Sequence, residues 1–153
     1  MIIDKNEIAK KCGKDPKDVI VGFTASCFDL MHAGHIAMLA EARSQCDYLV
    51  VGLLSSPSDR PFKNSPVQSL FERFVQIQAV KYVDFIIPFE SEKDLVDLLL
   101  TLLPDVRFCG KEYEGKDHTG VHLKNIKIIY NERQHSFSTS ELRDRVILAN
   151  NKT

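Results

Sequence analysis

Apolar and polar positions along this chain follow two rhythms that change places repeatedly. Val19 to Ala25 (VIVGFTA) is a nearly unbroken, β-branched apolar run, the pattern of a strand buried on both faces. DYLVVGLL (47–54), DFIIPF (84–89), DVRFCG (105–110) and IKIIY (126–130) repeat it. Between these runs the apolar residues return at helical spacing. Ile36, Leu39, Ala40 and Ala42 do so between Gly34 and about Cys46, and Phe71, Phe74, Val75, Ile77 and Val80 do so between about Ser69 and Tyr82. SEKDLVDLLLTLLP opens on Ser91 as an N-cap and stops at Pro104. A polar segment around Asp4 to Cys12 reads as a short helix. Ser138-Thr139-Ser140-Glu141 has the spacing of a capping box that opens a last helix to about Ala149.

Strands alternating with helices in this way predict βαβ units with right-handed crossovers and a parallel sheet covered on both faces. Ligands in such sheets bind beyond the carboxyl ends of the strands, where the strand order reverses. CFDLMHAGH, SSPSDRPFKNSP, CGKEYEGK and NERQHSFSTS all follow predicted strands, so they are expected to converge at one end of the sheet.

Composition narrows the class. The 153 residues suit a single domain, 1–153, with its core at about 19–149; 44% are hydrophobic and 27% charged. Lys plus Arg at 20 against Asp plus Glu at 21 gives no basic field, so no nucleic-acid partner is expected and any anion site must be local. No run reaches the roughly 18 apolar residues of a membrane span, and the charged N-terminus is no signal peptide. The four cysteines (Cys12, Cys27, Cys46, Cys109) form no C-x-x-C pair and read as reduced thiols of a cytoplasmic protein.

The densest chemistry lies in Cys27 to His35, CFDLMHAGH. Cys27, His32 and His35 offer three zinc ligands, short of a structural set of four. Cys27 beside a histidine would suit a thiolate nucleophile. Both histidines are also plain helix-start residues. A fourth reading is phosphate chemistry: a helix starting near His32–Gly34 presents free N–H groups and a positive dipole end, Gly34 clears space for an incoming ligand, and two imidazoles can donate to phosphate oxygens.

HAGH resembles the H-x-G-H signature of the cytidylyltransferase-like nucleotidyltransferase superfamily. The similarity continues through TASCFDLMHAGH, DYLVVGL, the FER helix, KYVDFIIP, FCGKEYEGK and FSTSELR, from about Val19 to Val146. Within the superfamily the KYVDFIIP and GKEYEGK blocks are most similar to glycerol-3-phosphate cytidylyltransferases. The resemblance implies a Rossmann-like α/β fold, five parallel strands with helices on both faces. It also implies in-line transfer of CMP from CTP to a small phosphorylated alcohol, with pyrophosphate released. Mg²⁺ is implied as a companion of the triphosphate, without direct protein ligands, and the assembly as a homodimer. An adenylyltransferase using ATP and a non-catalytic nucleotide-sensing module are the alternatives.

Carried over residue by residue, the resemblance makes His32, His35 and the loop residue Lys63 catalytic. It assigns the nucleotide to Thr24, Ala25, Phe28, Asp29, Gly34, Gly110, Arg133, Ser138, Thr139 and Ser140. Asp29 orders the first loop instead of acting as a base. Arg60, Arg73 and Lys81 are implied as acceptor or phosphate contacts, each with an ordinary surface or ion-pair role as its alternative. The chain departs from the family in lacking the glycine two residues before the S-T pair, where it has Ser136.

Overall fold

The computed structural model describes residues 3–56, 59, 65–132 and 135–152. Helix α1 (Lys5–Cys12) precedes strand β1 (Val21–Ser26), followed by α2 (Ala33–Arg43), β2 (Tyr48–Leu54), α3 (Leu70–Gln78), β3 (Phe85–Phe89), α4 (Glu92–Leu102), β4 (Val106–Cys109), β5 (Lys127–Tyr130) and α5 (Thr139–Asn150). All five predicted strands form, in one parallel sheet of order β3-β2-β1-β4-β5. The order reverses between β1 and β4, where a crevice opens at the carboxyl edge.

Side-chain alternation along the strands builds two cores. Leu49, Val51, Leu53, Val106 and Phe108 pack with Leu39, Ala42 and Ile77 of α2 and α3. Val21, Phe23, Val50 and Leu54 pack on the other face with Ile8 of α1 and Leu95 and Leu99 of α4. Both faces of the central strands are therefore apolar, which is why their sequences read as unbroken runs and not as alternating ones.

Elements end where local chemistry stops them. α1 closes on Gly13 at φ 66°, a left-handed cap that suits glycine. α3 is capped reciprocally by Ser69 and Glu72 but ends at Gln78, four residues short of the predicted Tyr82, since Val80 to Asp84 already turns into β3. β1 starts two residues after Val19. Of the predicted capping box before α5, one half forms: Ser138 accepts from the Glu141 amide.

The amino edge of the sheet is tied by three aspartates, each just ahead of a strand. Asp47 accepts from the Ile20 amide (2.9 Å), Asp84 from Leu49 (2.8 Å) and Asp105 from Val21 (2.8 Å). Lys14, Arg43 and Lys5 pair with the three carboxylates in turn. Strand register is thus held at the end remote from the site. Among the described residues no helix is long and apolar enough to cross a membrane.

Candidate active site

The carboxyl edge opens into a cavity of about 1090 Å³, just above the roughly 300–1,000 Å³ usual for small-molecule sites. Of the four loops predicted to converge there, those after β1, β4 and β5 do so, and most of the loop after β2 lies outside the described residues. Of the expected residues, Thr24, Ala25, His32, Gly34, His35, Gly110, Ser138 and Thr139 line it.

The two histidines owe their three-residue spacing to the helix they begin. His32 is the N-cap of α2 and His35 its N3 residue, and they cap reciprocally in place of the usual Ser and Glu. Nδ1 of His32 accepts from the Gly34 amide at 3.0 Å, and Nδ1 of His35 accepts from the His32 amide at 3.3 Å. In the neutral rings this leaves the proton of each on Nε2. The imidazoles stack with centroids 4.0 Å apart. Burial, reinforced by the charge of His32 and opposed by Asp29, lowers the pKa of His35 to about 4. His35 is therefore a neutral hydrogen-bond donor at physiological pH.

Gly34 is required by the protein's own packing. A Cβ there would lie 2.8 Å from Cε1 of His32 and 2.9 Å from Cε1 of His135. The space that a bound nucleotide was expected to claim is already bounded by two imidazoles.

Nε2 of His32 meets Oγ1 of Thr139 at 3.2 Å, and that hydroxyl lies 3.5 Å from the Asp29 carbonyl oxygen. The starts of α2 and α5 thereby adjoin. Two helix N-termini, each with free N–H groups and a positive dipole end, face one cavity alongside two imidazoles, an arrangement that suits a polyphosphate.

Asp29 and Phe28 stand behind this surface. Phe28 is fully buried under α2 and α3. Asp29 accepts from the amides of Val67 and Gln68, both at 2.9 Å, and from Nη2 of Arg143 at 2.8 Å. Burial would raise its pKa, but these three donors outweigh it and hold the carboxyl below its ordinary value. Phe28 at φ 49° and Leu30 at φ 48° flank it in the left-handed region, which is unfavourable for bulky residues. Asp29 therefore holds a strained loop in place, the ordering role expected of it.

Two expected phosphate contacts are corrected. Arg73 is 1% exposed, and its guanidinium donates to the carbonyl oxygens of Cys27 (2.8 Å), Leu54 (2.6 Å), Ser55 (2.5 Å) and Gln68 (3.1 Å). It pins the ends of β1 and β2 to α3 and has no face toward the cavity. Lys81 precedes β3, at the amino edge, and its ammonium sits over the Tyr82 ring at 5.1 Å. Ser140 is exposed on the first turn of α5 and does not line the cavity. Lys63, Arg60 and Arg133 lie outside the described residues.

Neither alternative for Cys27 gains geometry. Its Sγ lies 3.9 Å from the Leu54 carbonyl oxygen and 3.5 Å from Nη1 of Arg73. Both Nδ1 atoms of the histidines face main-chain amides. Among the described residues no three His, Cys, Asp or Glu side chains gather around a common centre.

The cavity also holds residues that motif reading missed, among them Arg107, Glu92, Thr119, His118 and Tyr113. His118 Nε2 contacts the Tyr130 hydroxyl at 2.9 Å, with Tyr113 edge-on to its ring. Arg107 had one sequence signal, a charge inside the apolar strand V-R-F-C.

Comparison with known proteins agrees with this geometry. The model of the cytidylyltransferase-like family matches residues 23–145. The bifunctional protein HldE of Mesorhizobium japonicum is 44% identical over 95 residues, 61% of this chain and 19% of that protein. HldE of Campylobacter jejuni (strain RM1221) is 32% identical over 148 residues, 95% of this chain and 31% of that protein. The chain thus spans less than a third of the length of these curated relatives. Among solved structures, the lipopolysaccharide core biosynthesis protein from Thermoplasma volcanium GSS1 superposes with a TM-score of 0.66 at 24% identity, covering 76% of this chain and 99% of that one. Pantoate-beta-alanine ligase from Francisella tularensis does so at 0.58 and 19%, covering 94% and 72%. These two likenesses show a shared fold. The family match takes in both histidines, the cavity walls and the Ser138–Thr139 helix start, and the chain belongs to the cytidylyltransferase-like family of nucleotidyltransferases.

Proposed function

We propose that this chain transfers a nucleoside monophosphate from a nucleoside triphosphate to the phosphate of a small phosphorylated polyol or sugar, releasing pyrophosphate. The observation that carries the reading is the reciprocal cap. It fixes both Nδ1 atoms on the main chain and puts both Nε2–H groups at the helix start, that of His32 against the Thr139 hydroxyl, beside a second helix start at Ser138. Charge that builds on the α-phosphoryl oxygens during in-line displacement is stabilised there by donors already in place. The acceptor phosphate is itself the nucleophile, so no side chain has to act as a base.

Mg²⁺ would neutralise the triphosphate and polarise the leaving pyrophosphate. The residues present fit a cation that arrives on the nucleotide, because the carboxylates of Glu41, Glu112 and Glu132 line the cavity and can hold its waters. Two donors compete. CTP is implied by the GKEYEGK and KYVDFIIP blocks, and ATP is used by other members of the superfamily.

The deciding experiment screens the four nucleoside triphosphates with Mg²⁺ against phosphorylated polyols and sugars for pyrophosphate release. Release with one triphosphate and an acceptor supports transfer and names the donor. Tight nucleotide binding with no turnover for any pair replaces the reading with a sensing module.

A further inference from the structure

The cavity crosses the carboxyl edge onto the α4 face of the sheet, where Phe89, Glu92, Leu95, Arg107 and Thr119 line it. Val106 and Phe108 of β4 point into the core under α2 and α3, so Arg107 between them points the other way. Its Nη1 donates to the Thr119 carbonyl oxygen. A Cβ on Gly120 would meet the same nitrogen at 2.7 Å and Leu99 at 2.8 Å, so the guanidinium lies between the 119–120 turn and α4.

Arg107 is 7% exposed. Among the described residues no carboxylate comes within 4.0 Å of its guanidinium. Glu92, the acid that shares this lobe, accepts a hydrogen bond from the Thr119 hydroxyl. None of the other Arg107 nitrogens is sealed off without a partner, so they open on the cavity that the residue lines. Arg73 makes the contrast plain: it is buried more deeply still, yet its fork is filled by four carbonyl oxygens. A buried cation without an anion is costly, and an open guanidinium fork matches an oxyanion with two oxygens.

We infer that this lobe is an acceptor subsite in which Arg107 binds a carboxylate at the end of the acceptor remote from its phosphate, the acceptor being a phosphorylated sugar acid or polyol acid. This rests on the transferase reading. The reacting phosphate has to lie beside His32 and His35, whereas Arg107 serves the opposite face of the sheet and so a different part of the molecule. A carboxylate suits the lobe better than a second phosphate, because one guanidinium carries a single positive charge, which a carboxylate matches and a phosphate dianion exceeds. Glu92 and Thr119 are placed to take hydroxyl groups.

The test uses matched pairs that differ by one carboxylate: glycerol 3-phosphate against 3-phosphoglycerate, and glucose 1-phosphate against glucuronic acid 1-phosphate. Each is titrated calorimetrically into the wild type and Arg107→Met in the presence of a non-hydrolysable MgATP or MgCTP analogue. The carboxylated member is expected to bind the wild type at least about tenfold tighter in one pair or both, an advantage that disappears in Arg107→Met. The ligand-free variant is expected to melt no lower than the wild type, since an unpaired buried charge has been removed. No preference in the wild type, or a preference that survives Arg107→Met, overturns the inference. A lower melting point with the preference retained makes Arg107 structural. Nucleotide binding is read separately in both proteins: if neither binds a triphosphate, the transferase reading fails and this inference with it, whereas intact nucleotide binding isolates the fault to the subsite.

Discussion

His32 and Thr139 stand 107 positions apart in the chain, yet the imidazole Nε2 of one lies 3.2 Å from the hydroxyl of the other. This contact joins the first turn of α2 to the first turn of α5. It places the two helix starts at one wall of the cavity.

Replacing Thr139 by valine keeps the shape and removes the hydroxyl. Turnover is expected to fall about tenfold or more, with roughly 1 kcal/mol of stability lost, the net worth of one hydrogen bond. Steady-state kinetics and thermal unfolding check this together. Unchanged turnover would show that the contact is incidental to the reaction.

His35→Ala removes a transition-state donor and is expected to cut turnover by roughly 10²-fold or more. The fold should persist, although the cap on the His32 amide and the packing of the ring on His32 and Phe28 are lost, at about 2–4 kcal/mol. Circular dichroism and pyrophosphate release distinguish the two effects.

His35 should also titrate abnormally. Its folded pKa is lowered to about 4 from 6.5 by burial and by the charge of His32. The unfolded chain therefore binds the proton first. The stability His35 contributes is complete above about pH 6.5 and is lost as pH falls toward 4, on the order of 3 kcal/mol in all. Nitrogen-15 NMR should show a neutral ring protonated on Nε2 at pH 7. Binding of a triphosphate should raise the midpoint, since phosphate favours the charged form; a midpoint near 6.5 in the free protein contradicts this account.

Asp29→Asn replaces an acceptor of three hydrogen bonds by an amide that turns an NH₂ group toward donors. The strained turn at Phe28 and Leu30 then loses its anchor. We expect a loss of about 2–4 kcal/mol, read by denaturant titration. In the wild type the folded pKa of Asp29 is lowered, so its contribution is present at pH values above the ordinary carboxylate range and disappears as acid protonates it.

Arg73→Met separates the structural role from the phosphate role once expected of this residue. Four carbonyl oxygens lose their donor, and a loss of about 3–5 kcal/mol is expected, comparable to breaking a buried charged network. A variant of normal stability with a raised KM for the acceptor would restore the phosphate role.

Much of this site is legible in the sequence. The apolar runs gave all five strands because both sheet faces are covered, and Ser91 and Ser138 marked helix starts through short-range hydrogen bonds. The H-x-G-H spacing located the site because N-cap and N3 positions are themselves three residues apart. The arginines were not legible. Arg73 and Arg107 are both cations on covered elements, and nothing in their neighbours along the chain tells which fork is filled by carbonyls and which is left open.

By itself the sequence determined the order of elements, the parallel sheet, the end at which the loops gather and the pair of imidazoles, all of which follow from periodicity and contacts a few residues apart. Tertiary structure alone decided which polar groups meet: Thr139 with His32, Asp29 with Arg143, Arg73 with the ends of two strands, and Arg107 with the cavity. These contacts depend on which way each side chain leaves its strand or helix after elements distant in sequence have packed. That direction is set by the shape of the whole core, which no local window of residues contains.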